Sequence, residues 1–413
     1  MSPFLRIACL LWVLEFSVSF GRSEEAWQAP HMQVAEGFEL SIAAAPPLVQ
    51  YPMMACLDSE GRLYIAESDG RNLTTREEIE RERPRFVRRL VDTDDDGVFD
   101  QSTIFADAMT MPEGGLWHDG ALFIISPPYL WRLQDLDDDG VADVREQILG
   151  SMNFDGRANQ HGPYAGPDGR LYFTGGHFGY TFAGRDGSRT GTSRAAGVFS
   201  CFPDGTDVRI DGQGGINPVD AVWSPQGDLF TTCAIFDSHG GRHDALIHWL
   251  RGGLTQRVYG ESLLYDTGQR LPATVRWGQV APAGLVRYRG TQFGEAYRAN
   301  LFACHFNTQS VKRIRLRATG ASFVSEEADF LTSPHGDVHF TDILEDADGS
   351  LLVLDTGGWL SWGCPHSQIA KPQVKGAIYR IRKRDGAMIG DPRGLKLDWR
   401  APSPASVVAR LGD

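Results

Sequence analysis

Short apolar runs joined by glycine-containing turns predict an all-β fold for this chain of 413 residues. In each repeat, two apolar runs flank a turn that ends in glycine, which is typical of β-hairpins. The clear turn glycines are Gly61, Gly120, Gly169, Gly227 and Gly349, separated by 59, 49, 58 and 122 residues, and the last interval is two repeats wide. Such spacing indicates sheets repeated around a ring. We therefore predict a six-bladed β-propeller with an N-terminal signal peptide and a short C-terminal tail.

Each repeat is predicted to contribute up to four strands. The second strands are predicted at 63–66, 122–125, 171–174, 229–232, 301–304 and 351–354. The third strands are predicted at 86–91, 129–134, 197–202, 245–250, 311–316 and 377–382. Fourth strands are predicted at 103–105, 146–149, 208–210, 262–265 and 323–325. The sixth repeat lacks a fourth strand. Residues 38–43 are predicted to fill its place and close the ring, which removes the free sheet edges.

The chain ends predict export and a further region after the propeller. Residues 1–21 are predicted to be a signal peptide, because Arg6 precedes an apolar run and Ser19 and Gly21 suit a cleavage site. The alternative is an uncleaved anchor. Residues 30–385 are predicted to be the propeller, and 386–413 a linker and the start of a helical-repeat region. The predicted location is periplasmic or secreted, with no transmembrane segment after signal removal.

The net charge and the cysteine content limit the expected partners and disulfides. The formal net charge of −13 repels phosphate backbones, so nucleic acid is not expected as a partner. Five cysteines remain after the predicted signal peptide: Cys56, Cys201, Cys233, Cys304 and Cys364. Most are interpreted as small buried hydrophobic residues, and one disulfide of unspecified pairing stays open.

Two acidic runs, 92–100 and 135–143, share the pattern D-x-D-x-D-G-x-x-D. Carboxylates at alternate positions of a tight loop converge, the glycine permits the turn, and oxygen ligands suit calcium. The predicted metal ligands are Asp92, Asp94, Asp96, Asp100, Asp135, Asp137, Asp139 and Asp143. Each loop is predicted to join a third strand to a fourth, so this calcium would be structural. The alternative is a pair of solvated Asp-rich turns.

Polar residues recur where the first strands begin and the second strands end, at one edge of every predicted hairpin. They are Glu67, Glu113, His161, His177, Asp220, Asp237, His239, His305, His335, Asp337 and Asp355. These edges should ring one end of the central channel, called here the mouth, whereas the glycine turns form the opposite turn face. The predicted catalytic residues are His161 beside His177 and Asp337 beside Asp355, since a carboxylate or second histidine tunes an imidazole. The alternative is that each residue only caps a strand.

Five stretches carry a resemblance to a known family: 37–40, 90–100, 281–285, 297–302 and 375–381. Over residues 30–385 the chain resembles the propeller domain of planctomycete-type membrane-bound dehydrogenases. These are often haem-binding CxxCH proteins, distantly similar to soluble quinoprotein glucose and sorbosone dehydrogenases. The resemblance implies that His161, which precedes a Gly-Pro-Asp turn, is the catalytic base. It also implies pyrroloquinoline quinone (PQQ) as cofactor, with Arg276 and Lys375 as candidate contacts. No CxxCH motif occurs, so no c-type haem is expected in this chain.

Three functions follow as hypotheses. The first is an exported calcium-binding propeller that oxidises a sugar or polyol with a quinone and a separate electron acceptor. The second is a non-catalytic propeller that binds a glycan or a protein, and the third is a metal-dependent hydrolase or lyase. Lysine and arginine clustered at the mouth would favour the quinone. Tryptophan with neutral polar groups would favour glycan binding, and a carboxylate–histidine cage would favour a second metal.

Overall fold

A computed structural model describes residues 27–154, 160–176, 180–190, 196–237, 241–255, 268–360, 370–387, 389–397 and 403–408. Most of the regular structure in these residues is β-strand. In chain order the strands are β1 (Gln33–Val34), β2 (Phe38–Ala44), β3 (Pro52–Leu57), β4 (Leu63–Ser68), β5 (Arg85–Val91), β6 (Gln101–Met109), β7 (Leu116–His118), β8 (Ala121–Ser126), β9 (Tyr129–Gln134), β10 (Val144–Leu149), β11 (Gln160–Ala165), β12 (Leu171–Gly175), β13 (Gly197–Cys201), β14 (Arg209–Gln213), β15 (Asn217–Trp223), β16 (Leu229–Asp237), β17 (Gly241–Trp249), β18 (Gly253–Thr255), β19 (Arg270–Leu271), β20 (Val275–Trp277), β21 (Pro282–Arg287), β22 (Leu301–His305), β23 (Ser310–Thr319), β24 (Ser322–Thr332), β25 (Phe340–Glu345), β26 (Leu351–Gly357) and β27 (Lys375–Lys383). The helices are α1 (Arg76–Glu82) and α2 (Pro404–Val408), and short 3-10 turns span Glu295–Tyr297 and Phe306–Thr308.

The strands form six hydrogen-bonded sheets in a propeller-like arrangement. We number them from their innermost strands as sheet 1 (β3-β4-β5-β6), sheet 2 (β7-β8-β9-β10), sheet 3 (β11-β12-β13-β14-β18-β19), sheet 4 (β15-β16-β17-β20), sheet 5 (β21-β22-β23-β24-β1) and sheet 6 (β25-β26-β27-β2). Successive innermost strands contact each other from β3 around to β25, which contacts β3 again. Five sheets are purely antiparallel and form regular blades. Sheet 3 differs, because β14, β18 and β19 pair in parallel.

Apolar strands explain why the sheets pack face to face. Every residue of β4 and of β8 is buried, as expected for strands covered on both faces. A hydrophobic cluster fills each boundary between consecutive sheets, including both boundaries of sheet 3. The core is therefore a ring of apolar layers around a central channel rather than one central mass.

The predicted ring closure is confirmed. Strand β2 pairs antiparallel with β27, which places an N-terminal strand at the outer edge of the C-terminal sheet 6. Phe38 of β2 is 2% exposed and packs edge-on against Phe293, Tyr297 and Phe330 at centroid separations of 4.8, 5.1 and 5.0 Å. The closing strand therefore also anchors sheet 6 to sheet 5.

Several elements differ from the sequence prediction, among them the short strands β1, β18 and β19. The predicted fourth strand of sheet 4, at 262–265, lies outside the described residues, and β20 occupies the fourth position in that sheet. Helix α1 was not predicted, although Thr75 and Glu78 form a capping box in which each side chain binds the other residue's backbone N–H. The second and third strands are confirmed in all six sheets.

The termini and cysteines leave some predictions open. The predicted signal peptide and Cys364 lie outside the described residues. Cys56, Cys201, Cys233 and Cys304 are all free thiols, so no disulfide joins the cysteines that the structure describes. In the described part of the chain, no helix has the length and apolar character needed to span a membrane.

Candidate functional site

Glu113 and His161 form a close polar pair at the mouth. Glu113 Oε2 lies 3.1 Å from His161 Nδ1, and both residues are buried. The contact between Glu113 and His161 falls outside hydrogen-bond geometry. Burial lowers the pKa of His161, and Glu113 and the neighbouring Asn217 side chain oppose that shift. His161 is therefore a neutral imidazole at neutral pH, with a lone pair available to accept a proton.

Arg85 lies on the other side of Glu113. Its Nη1 atom is 3.3 Å from Glu113 Oε1, and its guanidinium carbon lies 5.6 Å from the centroid of the Trp359 ring. Arg85 begins β5, Glu113 precedes β7, and His161 lies near the start of β11. The three side chains therefore connect sheets 1, 2 and 3 across the mouth.

A close approach of two glycines brings Glu113 and His161 together. Gly114 has a φ of +100°, and a Cβ at this position would lie 2.5 Å from Gly162 N. Gly162 N donates a 2.9 Å hydrogen bond to Glu113 O, and Glu113 N donates one of 2.9 Å to Ile125 O. Both the backbone conformation and the contact therefore require glycine at position 114.

Asp337 and Asp355, the second predicted pair, lie close enough to interact. Asp355 is buried and accepts hydrogen bonds from His339 N at 2.8 Å and Gly357 N at 3.0 Å. Burial raises the pKa of Asp355 to about 7, and the Asp337 carboxylate adds to this increase. Asp337 itself lies 2.6 Å from Lys371 Nζ. Asp355 is thus held by backbone N–H groups and has no cationic partner among the described residues.

Glu67 has a structural role at the mouth. It is buried, and its Oε1 atom accepts hydrogen bonds from Gln50 N at 2.6 Å and Tyr51 N at 3.2 Å. Its second oxygen pairs with the Arg88 guanidinium. Both carboxylate oxygens are therefore engaged within sheet 1 and the segment that leads into it.

The remaining predicted mouth residues are not brought together with His161 in the described structure. His305 is buried against Trp277, and burial lowers its pKa to about 3. His335 is exposed. His177 and His239 lie outside the described residues, as does the side chain of Asp237.

Asp220 was predicted at the mouth, but it lies in the middle of β15, inside the channel. With Asp342 it lines a cavity of about 660 Å³ whose other lining residues include several from the turn face. Asp220 Oδ2 accepts a 2.6 Å hydrogen bond from Leu285 N, and Asp342 Oδ2 accepts one of 2.8 Å from Ala55 N. Burial raises the pKa of both carboxyl groups, and Asp342 raises that of Asp220 further. Asp220 thereby joins sheet 4 to sheet 5, and Asp342 joins sheet 6 to sheet 1.

The two Asp-rich loops join third and fourth strands, as predicted, and bring carboxylates together. Carboxylate oxygens lie within 4.8 Å of one another in two clusters, formed by Asp92, Asp94 and Asp96 and by Asp135, Asp137 and Asp143. The other two predicted ligands, Asp100 and Asp139, lie outside these clusters. The Asp100 carboxylate instead accepts a 2.5 Å hydrogen bond from Thr93. Clustered carboxylate oxygens are suitable ligands for calcium.

Both loops have the same backbone form and the same attachment. Gly97 and Gly140 have φ values of +91°, and their N–H groups donate to the first aspartate of the loop at 2.7 and 2.8 Å. In each loop a backbone N–H also donates a 2.8 Å hydrogen bond to an outer strand of the preceding sheet. These bonds run from Phe99 N to Ala43 O and from Ala142 N to Phe105 O. Each loop therefore fastens one sheet to the one before it.

Sequence reasoning missed Arg85, Asn217 and Trp359. Arg85 begins a third strand, and third strands start at the same edge at which second strands end. Extending the search for polar residues to that position would have found it. Asn217 begins an innermost strand, but the search selected only charged residues and histidine. Trp359 follows β26 in a loop, where no spacing pattern indicates contact with another sheet.

The two candidate quinone contacts lie on different sheets. Arg276 lies on β20, the outer strand of sheet 4, and its Nε is 3.2 Å from His243 Nε2. His243 lies near the start of β17, a third strand, so this contact places Arg276 toward the mouth edge of sheet 4 but on its outer strand. Lys375 begins β27 opposite Gly357 and stays a candidate at the mouth edge.

Together the fold and site define an all-β, propeller-like protein with a buried carboxylate–imidazole pair at one end of its channel. The chain belongs to the family described as "Domain of unknown function (DUF7133)", whose model matches residues 23–233. A comparison with curated proteins found no match. The resemblance to haem-containing dehydrogenases therefore stays a prediction.

Several solved structures share the fold over most of the chain. The calcium structure of a Trichoderma reesei carbohydrate-active enzyme of family AA12 has a TM-score of 0.59 at 12% identity, covering 88% of this chain and 99% of that one. The holo PQQ domain of pyranose dehydrogenase from Coprinopsis cinerea has a TM-score of 0.57 at 14% identity, covering 86% and 98%. The PQQ-bound aldose sugar dehydrogenase from Streptomyces coelicolor has a TM-score of 0.55 at 13% identity, covering 85% and 100%. These identities establish a common fold alone.

Proposed function

We propose that this protein is an exported propeller that binds a sugar or polyol at its mouth and oxidises it, with His161 as the base. The observation that carries this proposal is the neutral, buried His161 imidazole 3.1 Å from Glu113. Such an imidazole can take a hydroxyl proton, and a neighbouring carboxylate stabilises the imidazolium that results. The buried Oε2 atom of Glu113 also has no hydrogen-bond partner in the described residues. It is an acceptor, so it suits a ligand rich in hydroxyl donors.

The architecture supports the same class of reaction. Solved structures of sugar-oxidising enzymes share this fold, although at identities that do not transfer an activity. We further propose that sheet 3 is the sixth blade, because apolar clusters fill both of its boundaries. The signal-like N-terminus supports a periplasmic or secreted location. The two Asp-rich loops, remote from His161, would hold structural calcium.

PQQ is matched only in part by the described residues. It carries three carboxylates, which require cationic partners. Arg85 and Lys371 are already paired with Glu113 and Asp337, which leaves Lys375 as a described candidate at this edge. One lysine does not match three carboxylates, so we derive no hydride-transfer step through the quinone. The first step for experiment is therefore to identify the hydride acceptor.

The test is reconstitution of the full chain with PQQ and calcium, followed by dye-linked oxidation of a panel of sugars and polyols. We expect turnover by the wild type and a loss of about 100-fold or more in His161→Ala, the usual contribution of a general base. The melting temperature should stay close to that of the wild type. His118→Ala, which changes an exposed histidine of the turn face, is the matched control and should retain activity.

The second candidate is a propeller that binds glycans or proteins without chemistry. The mouth has more hydrogen-bond acceptors than unpaired cations, which favours this candidate. Hydrogen-bond acceptors can hold a neutral ligand without a cofactor. Glycan binding by a protein that oxidises nothing under reconstitution would select this candidate. Full turnover by a folded His161→Ala variant would instead move the base to Asp355.

A further inference from the structure

We propose that Arg85 is a positioning residue, which holds the Glu113 carboxylate beside His161 across the boundaries of sheets 1, 2 and 3. This inference rests on the proposed role of His161 as the base. Arg85 does not itself reach the imidazole, because Glu113 lies between them. Its effect on the reaction would therefore be indirect and would act through the orientation of one carboxylate.

The two oxygens of Glu113 have separate neighbours. Oε1 lies 3.3 Å from Arg85 Nη1, whereas Oε2 lies 3.1 Å from His161 Nδ1. A carboxylate is planar, so fixing one oxygen limits the directions that the other can take. The backbone of Glu113 is fixed as well, through its hydrogen bonds to Ile125 and Gly162. Arg85 therefore controls the main rotation left to this side chain.

Arg85 is itself held from the far side. Its guanidinium faces the ring of Trp359, which is 1% exposed. Trp359 Nε1 donates a 2.9 Å hydrogen bond to Thr356 Oγ1, and Asn72 donates to the Trp359 carbonyl. This indole belongs to the loop after β26, so sheet 6 supports the cation that sheet 1 presents to sheet 2. Contacts across four sheets thus fix the position of the Glu113 carboxylate.

Because both side chains are buried, Glu113 needs its ion pair with Arg85. The side chains of Arg85 and Glu113 are 7% and 6% exposed. A buried carboxylate without a cation is strongly disfavoured, so Glu113 would turn away or take up a proton if Arg85 were lost. In either case His161 would lose its interaction with a carboxylate.

The charges around the Glu113–His161 pair determine the direction in which removal of Arg85 should change the pKa of His161. Glu113 faces His161 from sheet 2, and Arg85 faces Glu113 from sheet 1, where Asp69 also interacts with Arg85. Asn217 of sheet 4 contributes a neutral side chain. If Arg85 acted only as a nearby positive charge, its removal would raise the pKa of His161. If it positions Glu113, its removal should lower that pKa, as direct removal of the carboxylate would.

The experiment is an NMR titration of the His161 imidazole in the full chain without substrate, with its signal assigned by its loss in His161→Gln. We expect Glu113→Gln to lower the pKa of His161 by about 1 or more, since a close opposite charge contributes roughly 1 to 3. Arg85→Gln should lower it in the same direction, and the double variant should go no further than Glu113→Gln. The matched control is Arg88→Gln on the same strand, whose arginine pairs with Glu67 and should leave the titration unchanged.

Arg85→Lys keeps the positive charge and covers the case in which Arg85→Gln does not fold. A lowered His161 pKa in this variant supports positioning, because charge alone would leave it unchanged. A rise or no change in Arg85→Gln, or no change in Arg85→Lys, would overturn the proposal. The titration needs no turnover, so an inactive wild type whose His161 responds as expected would reject the proposed reaction and retain the role of Arg85.

Discussion

Arg380 Nε donates a 3.0 Å hydrogen bond to Gly97 O, which joins the third strand of sheet 6 to the first Asp-rich loop. Arg380 is buried, and its Nη1 atom lies 2.7 Å from Asp346 Oδ2. The loop is therefore attached to the sheet in which the N-terminal and C-terminal strands meet. An ion that orders this loop would stabilise the ring where it closes.

We expect calcium to raise the melting temperature of the wild type and to raise it less in Asp94→Asn, which removes one carboxylate of the first cluster. A ligand that binds only the native state adds about 2.7 kcal/mol at a hundredfold excess over its Kd. Thermal unfolding in calcium and in chelator measures this effect. Asp107→Asn, an exposed aspartate outside both clusters, should respond as the wild type does. Equal melting in both conditions, with no calcium in the purified protein, would contradict the prediction.

Phe38→Ala should destabilise the protein by about 3 to 5 kcal/mol, the range for removing a buried aromatic side chain. Phe38 packs against three aromatic rings of sheet 5 while its strand pairs with β27. Denaturant unfolding measures the change. Ile42→Ala, at a 38% exposed position of the same strand, is the control and should cost much less. Similar losses in the two variants would mean that the strand pairing, and not the Phe38 contact, holds the closure.

Gly114→Ala should destabilise the protein more than Gly120→Ala and should also weaken ligand binding at the mouth. Both glycines have positive φ, so both variants carry the cost of about 1 to 2 kcal/mol for an unfavourable backbone conformation. Only Gly114 adds a steric clash, because a Cβ at Gly120 meets nothing within 4 Å. Melting temperatures and ligand affinity would show the difference. Identical behaviour of the two variants would argue against the close contact with Gly162.

The contribution of Asp355 to stability should fall as the pH rises from about 4 to 7, and Asp355→Asn should remove this contribution. The pKa of Asp355 is about 7 in the folded state, whereas an unfolded aspartate has a value of about 3.9. The folded protein therefore holds the proton over this interval. The contribution is complete below about pH 4 and is lost as the pH passes 7. Unfolding free energies across this range provide the measurement. Asp119→Asn, an exposed turn residue, should keep the wild-type profile, and an unchanged Asp355→Asn profile would refute the assignment.

Most strands could be predicted because their burial on two faces demands continuous apolar residues, as in β4 and β8. The closing strand was found because the sixth repeat lacked a partner for its outer edge. Strand β20 was not predicted, because a three-residue edge strand buries too few side chains to require a pattern of apolar residues in the sequence. The parallel extension of sheet 3 has no local signal either, because parallel pairing depends on long-range contacts.

The site was predictable only at the level of strand ends. His161 was found because an innermost strand begins beside it, which the hairpin pattern reveals. Asp220 was misplaced because its strand extends three residues further toward the mouth than expected, which moves it into the channel. The interaction of Arg85 with Glu113 depends on which sheets are neighbours and on how closely they approach, and one-dimensional spacing carries neither quantity.

The pairing of β2 with β27 has a consequence for folding. The ribosome makes residues 38–44 early and their partners 375–383 more than 300 residues later. A contact so distant in sequence carries a large loop-closure entropy and slows folding. Until residues 375–383 have been made, β2 has an unsatisfied edge that can pair with another chain. The protein is therefore exposed to aggregation through this edge for as long as β27 is missing, and it benefits if β2 is kept from pairing during that time.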